Sequence, residues 1–315
     1  MPGSRIAALG HAQPAQVVTN ADLAAKVDTS DEWIQSRVGV RERRIAADDE
    51  SVTDLAVQAA EKALAQGGRD AADLDLVVVA TCTDGDRMPS VAARVAGRLG
   101  VRAAPAFDVN AACAGFCYAL ATADHAVRAE ASRNALVIGV DRMSGFLDWT
   151  DRSTCVIFGD GAGAAILTAA DRHVVGPVVW GSVPERSDAI RITADHPYIV
   201  QQGQTVFRWA ITDLAPVAEE AARRAGIDIA DIQGFVAHQA NGRIISAIAE
   251  RAGLDGAVIA LDVVESGNTS AGSVPLAFSK LVSGGELPPD APVLLLGFGA
   301  GLSYAAQVVW SPDPS

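Results

Sequence analysis

The segment Asp70-Ala-Ala-Asp-Leu-Asp-Leu-Val-Val-Val-Ala-Thr81 recurs in altered form as Asp228-Ile-Ala-Asp-Ile-Gln-Gly-Phe-Val-Ala-His238. In both copies aspartates suited to capping a short helix precede a continuous apolar run, the pattern of a strand buried on both faces. Two more pairs follow in the same order. Phe107-Asp-Val-Asn-Ala-Ala-Cys-Ala-Gly115 resembles Leu261-Asp-Val-Val-Glu-Ser-Gly-Asn-Thr-Ser-Ala-Gly272, and Val137-Ile-Gly139 matches Leu295-Leu-Gly297. All three pairs lie about 155 residues apart, and an ordered set at one offset points to a duplicated unit.

Around these pairs, strand-like runs at Leu76–Ala80, Ala135–Gly139, Gly234–Ala237 and Val293–Gly297 alternate with alanine-rich segments of helical period, such as Thr53–Ala65 and Ile211–Ala225. The chain is therefore read as α/β, in two duplicated halves, residues 1–170 and 171–315. No linker rich in proline, glycine and serine separates the halves, and the irregular stretch Val183–Gly203 predicts a surface loop.

The 315 residues suffice for two packed units without a disulfide or metal staple, and half of them are hydrophobic against a fifth charged. A net charge of −13 argues against a nucleic-acid or anionic-membrane binder, which needs a basic face. Only Lys26, Lys62 and Lys280 are lysines, so positive charge rests almost entirely on arginine. Met1 to Gly10 reads as a first strand and not as a signal peptide, and no stretch reaches the roughly 20 apolar residues of a membrane span. A cytoplasmic location is expected. The four cysteines, Cys82, Cys113, Cys117 and Cys155, form no CxxC pair and are expected to be reduced.

Chemistry concentrates where the repeat puts it. Cys113 falls where a short strand gives way to an alanine-rich helix, and unpaired N–H groups at a helix start favour a thiolate. Ala111, Ala112, Ala114 and Gly115 leave room for a bulky thioester. A cysteine in apolar sequence is more often a small buried hydrophobe, and Cys82, Cys117 and Cys155 are assigned to the core on that ground. His238 opens the polar cluster His238-Gln-Ala-Asn241 at the carboxyl end of a buried strand, where α/β proteins form ligand sites. The other histidines, His11, His125, His173 and His196, lack such a setting. Asn268, in Ser266-Gly-Asn-Thr-Ser-Ala-Gly272, aligns through the repeat with the neighbourhood of Cys113. The duplication thus predicts Cys113 and Asn268 facing each other across a pseudo-twofold axis, with His238 on an adjacent strand end. The glycine cluster Leu296-Gly-Phe-Gly-Ala-Gly-Leu-Ser303 lacks the phosphate-loop pattern and reads as a sharp turn aiming a backbone N–H at a reacting carbonyl. No metal-ligand cluster is apparent in the sequence.

These residues, with Asp31-Glu-Trp-Ile-Gln-Ser-Arg-Val-Gly-Val-Arg-Glu-Arg-Arg44, Asp148-Trp-Thr-Asp-Arg-Ser-Thr-Cys-Val-Ile-Phe-Gly-Asp-Gly-Ala-Gly163 and Gly297-Phe-Gly-Ala-Gly301, resemble the β-ketoacyl-acyl carrier protein synthase III family of the thiolase superfamily over almost the full length. The resemblance implies a thiolase-like five-layered αβαβα fold, a homodimer and a catalytic set of Cys113, His238 and Asn268. It implies that Cys113 takes an acyl group from acyl-CoA, with the N–H groups of Cys113 and Ala300 holding the oxyanion. Decarboxylative condensation with malonyl-acyl carrier protein would follow, starting fatty-acid or polyketide synthesis with no cofactor beyond the coenzyme A thioester. Trp33, Arg37 and Arg152 would bind coenzyme A; Arg208 and Arg243 would meet the carrier protein; Met88, from the other subunit, and Phe298 would shape the acyl pocket.

The chain departs from the family pattern at four places. Met88 stands where phenylalanine is frequent, and its flexible thioether suits a longer or branched acyl group. Ala300 replaces the middle glycine of a Gly-Gly-Gly turn, Gly242 replaces a larger residue, and Val183–Gly203 is shorter. Two other functions fit Cys113: an acyltransferase that delivers a starter group without condensation, and an inactive scaffold. The scaffold would have lost a member of the catalytic set, and the intact context of Asn268 favours condensation over bare transfer.

Overall fold

A computed structural model describes residues 3–313. The first part of the chain runs β1 (Gly3–Ala12), β2 (Gln16–Thr19), α1 (Asn20–Ala24), α2 (Asp31–Arg37), β3 (Glu42–Ile45), α3 (Val52–Gln66), β4 (Leu76–Ala80), α4 (Val91–Leu99), β5 (Ala106–Val109), α5 (Gly115–Arg128), β6 (Asn134–Arg142) and β7 (Asp160–Ala170). It continues with β8 (Val179–Ser182), β9 (Ile190–Thr193), β10 (His196–Gln201), α6 (Gly203–Ala225), β11 (Gly234–Ala237), α7 (Gly242–Ala252), β12 (Val258–Ile259), α8 (Val263–Ser266), α9 (Ser273–Ser283), β13 (Pro292–Gly299) and β14 (Ser303–Trp310).

Two five-stranded sheets carry the same topology. One has the order β1-β7-β6-β4-β5 and the other, read from its opposite edge, β8-β14-β13-β11-β12. In each, the strand next to one edge, β4 or β11, pairs in parallel with both its neighbours, and the central strand, β6 or β13, is antiparallel to its other neighbour. The apolar runs Leu76–Ala80 and Gly234–Ala237 are buried at every position because both faces of each sheet are covered. The repeated aspartates do what their spacing predicts: the carboxylates of Asp70 and Asp228 accept the N–H of Ala72 and Ala230, capping equivalent short turns.

Five layers result. Helices α3 and α4 cover the outer face of the first sheet, α6 and α7 the outer face of the second, and α5 and α9 lie between the sheets. This is the αβαβα arrangement expected from the sequence. Apolar burial explains it: the sheet faces and helix stripes find apolar partners, and the central helices, enclosed on two sides, are buried along most of their length.

The stretch Val183–Gly203 is not the loop that its composition predicts. It forms a 3-10 turn, Pro184–Ala189, and the antiparallel hairpin β9–β10. Ile190 and Ile199 pack inward against Met143, Leu147 and Phe158, while Arg191 and Thr193 alternate outward. Strands this short, with charge on one face, leave too few apolar positions for a period to register.

Candidate active site

Cys113 lies in the 3-10 turn Ala112–Ala114 that joins β5 to the central helix α5. The turn is entered through Ala112 at φ +44°, and β13 passes so close that a Cβ added at Gly299 would sit 2.6 Å from the Cys113 Cβ. Only glycine permits that approach. The sulfur lies 3.5 Å from Oγ of Ser270, and the main-chain N–H groups of Ala300 and of Cys113 itself favour its charged form. Even so, burial pushes the thiol up to about 11, with the Asp141 carboxylate adding to the shift. The expectation of a resting thiolate is therefore corrected: enclosure outweighs the donors around the sulfur.

Asp141, on β6, organises the surroundings. Its Oδ1 accepts from Thr81 Oγ1, Cys82 N and Thr83 Oγ1 at 2.8–3.0 Å, and its Oδ2 from Ala271 N at 2.9 Å. The end of β4 is thereby tied to the segment after Asn268.

His238 follows β11, is 2% exposed, and its pKa is lowered by burial to about 3, so the ring is neutral. Its Nδ1 lies 2.7 Å from Oγ of Ser273, and Phe298 meets the ring edge-on at 5.2 Å. Asn268 is held by backbone on both sides: its N–H donates to Ile157 O at 2.9 Å and its carbonyl accepts from Gly159 N at 3.1 Å. Its Oδ1 accepts the N–H of Ser270 at 2.8 Å, which leaves Nδ2 to the cavity that Asn268 lines.

That cavity, about 760 Å³, is lined at its inner end by Cys113, His238, Asn268, Phe298 and Gly299. Ile190 and Ile199 of the hairpin, with Val206 and Phe207 of α6, form an apolar wall. Trp33 and Arg37 of α2 and Arg208 and Arg243 of α6 and α7 also border it. The Arg152 guanidinium stacks over the Trp33 ring at 5.3 Å and donates to Asp28 O at 2.6 Å; Arg243 lies over Phe207 at 5.5 Å. Ala300 has no left-handed φ; the adjacent Gly301, at +128°, takes the strain of the turn. Met88 does not reach this cavity and is 83% exposed.

Four neighbours escaped the sequence reading. Ser270, Ser273 and Asp141 carry no motif beyond their place near Asn268 or at a strand end. Cys82, assigned to the core, instead sits at the site, its sulfur 3.8 Å from the same Ser270 oxygen that contacts Cys113. Its own thiol is raised well above the usual value by burial and by Asp141. Cys117 and Cys155 are fully buried, as assigned. Among the described residues no cluster of three or more His, Cys, Asp or Glu could hold a metal ion, and no helix is long and apolar enough to cross a membrane.

Comparison with known proteins bears on this geometry. The family model for 3-oxoacyl-[acyl-carrier-protein (ACP)] synthase III matches residues 107–184, and that for its C-terminal part matches residues 222–310. The chain is 59% identical to beta-ketoacyl-[acyl-carrier-protein] synthase III 2 of Streptomyces avermitilis, over 99% of this chain and 100% of that protein. It is 57% identical to beta-ketoacyl-[acyl-carrier-protein] synthase III 4 of Streptomyces coelicolor, over 98% and 99%. Among solved structures, the priming β-ketosynthase of the R1128 polyketide biosynthetic pathway superposes with a TM-score of 0.97 at 41% identity, over 99% of this chain and 97% of that one. The 3-oxoacyl-(acyl carrier protein) synthase III of Pseudomonas aeruginosa PAO1 gives 0.94 at 38%, over 99% of each.

Proposed function

The chain belongs to the 3-oxoacyl-[acyl-carrier-protein] synthase III family, and on that footing we propose that it is a condensing enzyme, an acyltransferase that starts fatty-acid or polyketide synthesis. One observation carries the assignment of roles: a nucleophile, Cys113, and two potential N–H donors, His238 and Asn268, share the inner end of one largely apolar cavity.

In the first half-reaction the Cys113 sulfur attacks the acyl-CoA thioester carbonyl. The N–H groups of Cys113 and Ala300 hold the oxyanion, and coenzyme A leaves as the thiol, taking the proton. The indole of Trp33 and guanidinium of Arg152 clamp the purine, with Arg37 toward the phosphates. In the second, malonyl-acyl carrier protein brings its thioester carbonyl to His238 and Asn268. Carbon dioxide departs, the bonding pair moves onto that carbonyl as an enolate, and the two N–H donors stabilise the charge. The carbanion carbon then attacks the acyl-cysteine, forming a carbon–carbon bond and releasing the Cys113 sulfur. No cofactor beyond the coenzyme A thioester enters the sequence.

Phe298 and the hairpin wall shape the acyl end, and Arg208 and Arg243 at the cavity border receive the acidic carrier protein. The enzyme is a cytoplasmic homodimer. Support for the dimer comes from exposed apolar groups near the edge strand β5, Met88 at 83% and Phe107 at 39%, since an uncovered edge with large apolar side chains invites a partner. Across such an interface Met88 closes the partner's acyl pocket. The halves 1–170 and 171–315 divide the labour, the first supplying Cys113 and the second His238 and Asn268.

Incubation with a panel of acyl-CoAs, intact-mass measurement, and then addition of malonyl-acyl carrier protein tests the proposal. An acyl adduct that Cys113→Ala abolishes, followed by a β-ketoacyl product, is expected. An adduct without condensation indicates the plain acyltransferase, and no adduct on any panel member overturns the Cys113 mechanism.

A further inference from the structure

A neutral imidazole carries its proton on one nitrogen only, and which nitrogen decides whether His238 can donate into the cavity. His238 and Ser273 are both buried, with Nδ1 and Oγ 2.7 Å apart. The same Oγ accepts the main-chain N–H of Gln239 at 3.3 Å. Among the described residues, the only acceptor within reach of the Ser273 hydroxyl hydrogen is Nδ1 of His238. With the proton on Nδ1, Oγ would accept two N–H groups while its own O–H stayed buried without a partner, an arrangement folded proteins avoid. With Nδ1 unprotonated, each group is satisfied: Gln239 N–H donates to Oγ, the Ser273 O–H donates to Nδ1, and Nε2–H is left for the cavity.

We infer that Ser273 is a positioning residue that holds His238 in the Nε2–H tautomer, so that His238 serves the reaction as a hydrogen-bond donor. The inference rests on the condensation reading above and extends it, because the same short segment sets both donors. Asn268 begins the segment, its amide oriented by the Ser270 N–H at 2.8 Å, and Ser273 ends it as the first residue of α9. One turn of chain therefore turns an N–H of the imidazole and an N–H of the amide toward the same thioester oxygen, across a site whose other half is contributed by the central helix.

The test combines a spectroscopic and a kinetic readout. Protein labelled with ¹⁵N-histidine, with His238 assigned from the spectrum of His238→Gln, reports which ring nitrogen is protonated. The wild type is expected to show the proton on Nε2, and Ser273→Ala to lose that single tautomer. In Ser273→Ala the condensation kcat should fall on the order of 10- to 100-fold, less than the roughly 100- to 1000-fold cost of deleting an oxyanion donor outright. Acylation of Cys113 by acyl-CoA should persist, and Ser273→Thr, which keeps the hydroxyl, should restore the tautomer and most of the condensation. A wild-type proton on Nδ1 overturns the inference whether or not Ser273→Ala folds. So does a Ser273→Ala enzyme that keeps both the Nε2–H tautomer and full condensation. Failure of the wild type to condense would remove the reaction while leaving the tautomer measurement to stand or fall separately.

Discussion

Oγ of Ser270 lies 3.5 Å from the sulfur of Cys113, near enough for the hydroxyl to donate to a sulfur that is acquiring charge. Burial holds the Cys113 thiol at about 11, and the Ser270 contact works against that rise. Alkylation of Cys113 by iodoacetamide, followed on its own peptide by mass spectrometry, is thus expected to accelerate steadily with pH from 7 to 10 without levelling. Ser270→Ala should be slower at each pH. A plateau below pH 8 in the wild type would contradict this account.

The Trp33 and Arg152 pair makes a claim about only one end of the substrate. Replacing Trp33 with alanine removes one face of the purine clamp, and aromatic stacking on a base is worth about 1–3 kcal/mol. KM for acyl-CoA should rise roughly 5- to 150-fold with kcat little changed. An acyl thioester truncated before the nucleotide should react equally with both proteins; a defect that persists on the truncated thioester would place Trp33 in a different role.

Burial of neutral histidines makes the fold sensitive to acid. His238, lowered by burial to about 3, and His11, lowered by burial and by Lys280 and Lys62 to about 4, both stay neutral in the folded state at pH values where the unfolded chain binds protons. Between about pH 4 and pH 6.5 the unfolded state binds more protons, so stability falls as pH falls through that window. From His238 alone the loss between pH 7 and about pH 4.5 is on the order of 2–3 kcal/mol. Urea unfolding at the two pH values measures it, and His238→Gln should flatten the dependence by that amount; equal slopes for both proteins would refute the assignment.

At Gly139 on β6 a Cβ would collide with the carbonyl oxygen of Ala271 and press on Phe116. Gly139→Ala is expected to cost about 1–3 kcal/mol or more, since neither backbone nor aromatic neighbour can withdraw. It should also displace the segment that carries Asn268, so condensation should fall further than acylation. Thermal unfolding and the two half-reactions, measured on the same preparation, separate the effects; unchanged stability would show that the segment yields.

How far the sequence can be read is visible in particular residues. The five layers were legible only through the family resemblance; the convergence of Cys113, His238 and Asn268 was legible because duplication turns a local pattern into a spatial one, residues at equivalent loops meeting at a pseudo-twofold axis. Ser273 and Asp141 were not, since a buried hydroxyl or carboxylate announces itself only by what its oxygens touch. Cys82 was misassigned because the continuous apolar run of β4 says that the strand is buried but not that the residue two places past its end lies beside Ser270. Arg43 illustrates the same limit: a fully buried guanidinium, bound to Val18 O, Asn20 Oδ1 and Val156 O, stands in a charged run that reads as surface.

The cavity has two kinds of boundary. Its inner end has no room for an added methyl group, with β13 at Gly299 pressed onto the Cys113 Cβ and the Ala271 carbonyl pressed onto Gly139. Its opposite wall is side chain, supplied by a two-stranded hairpin and the start of α6. Divergence in such an enzyme is channelled accordingly. Descendants that accept a new primer can acquire it by exchanging residues such as Ile190, Ile199 or Val206, while the inner end, where one added methyl group is a collision, is inherited nearly unchanged.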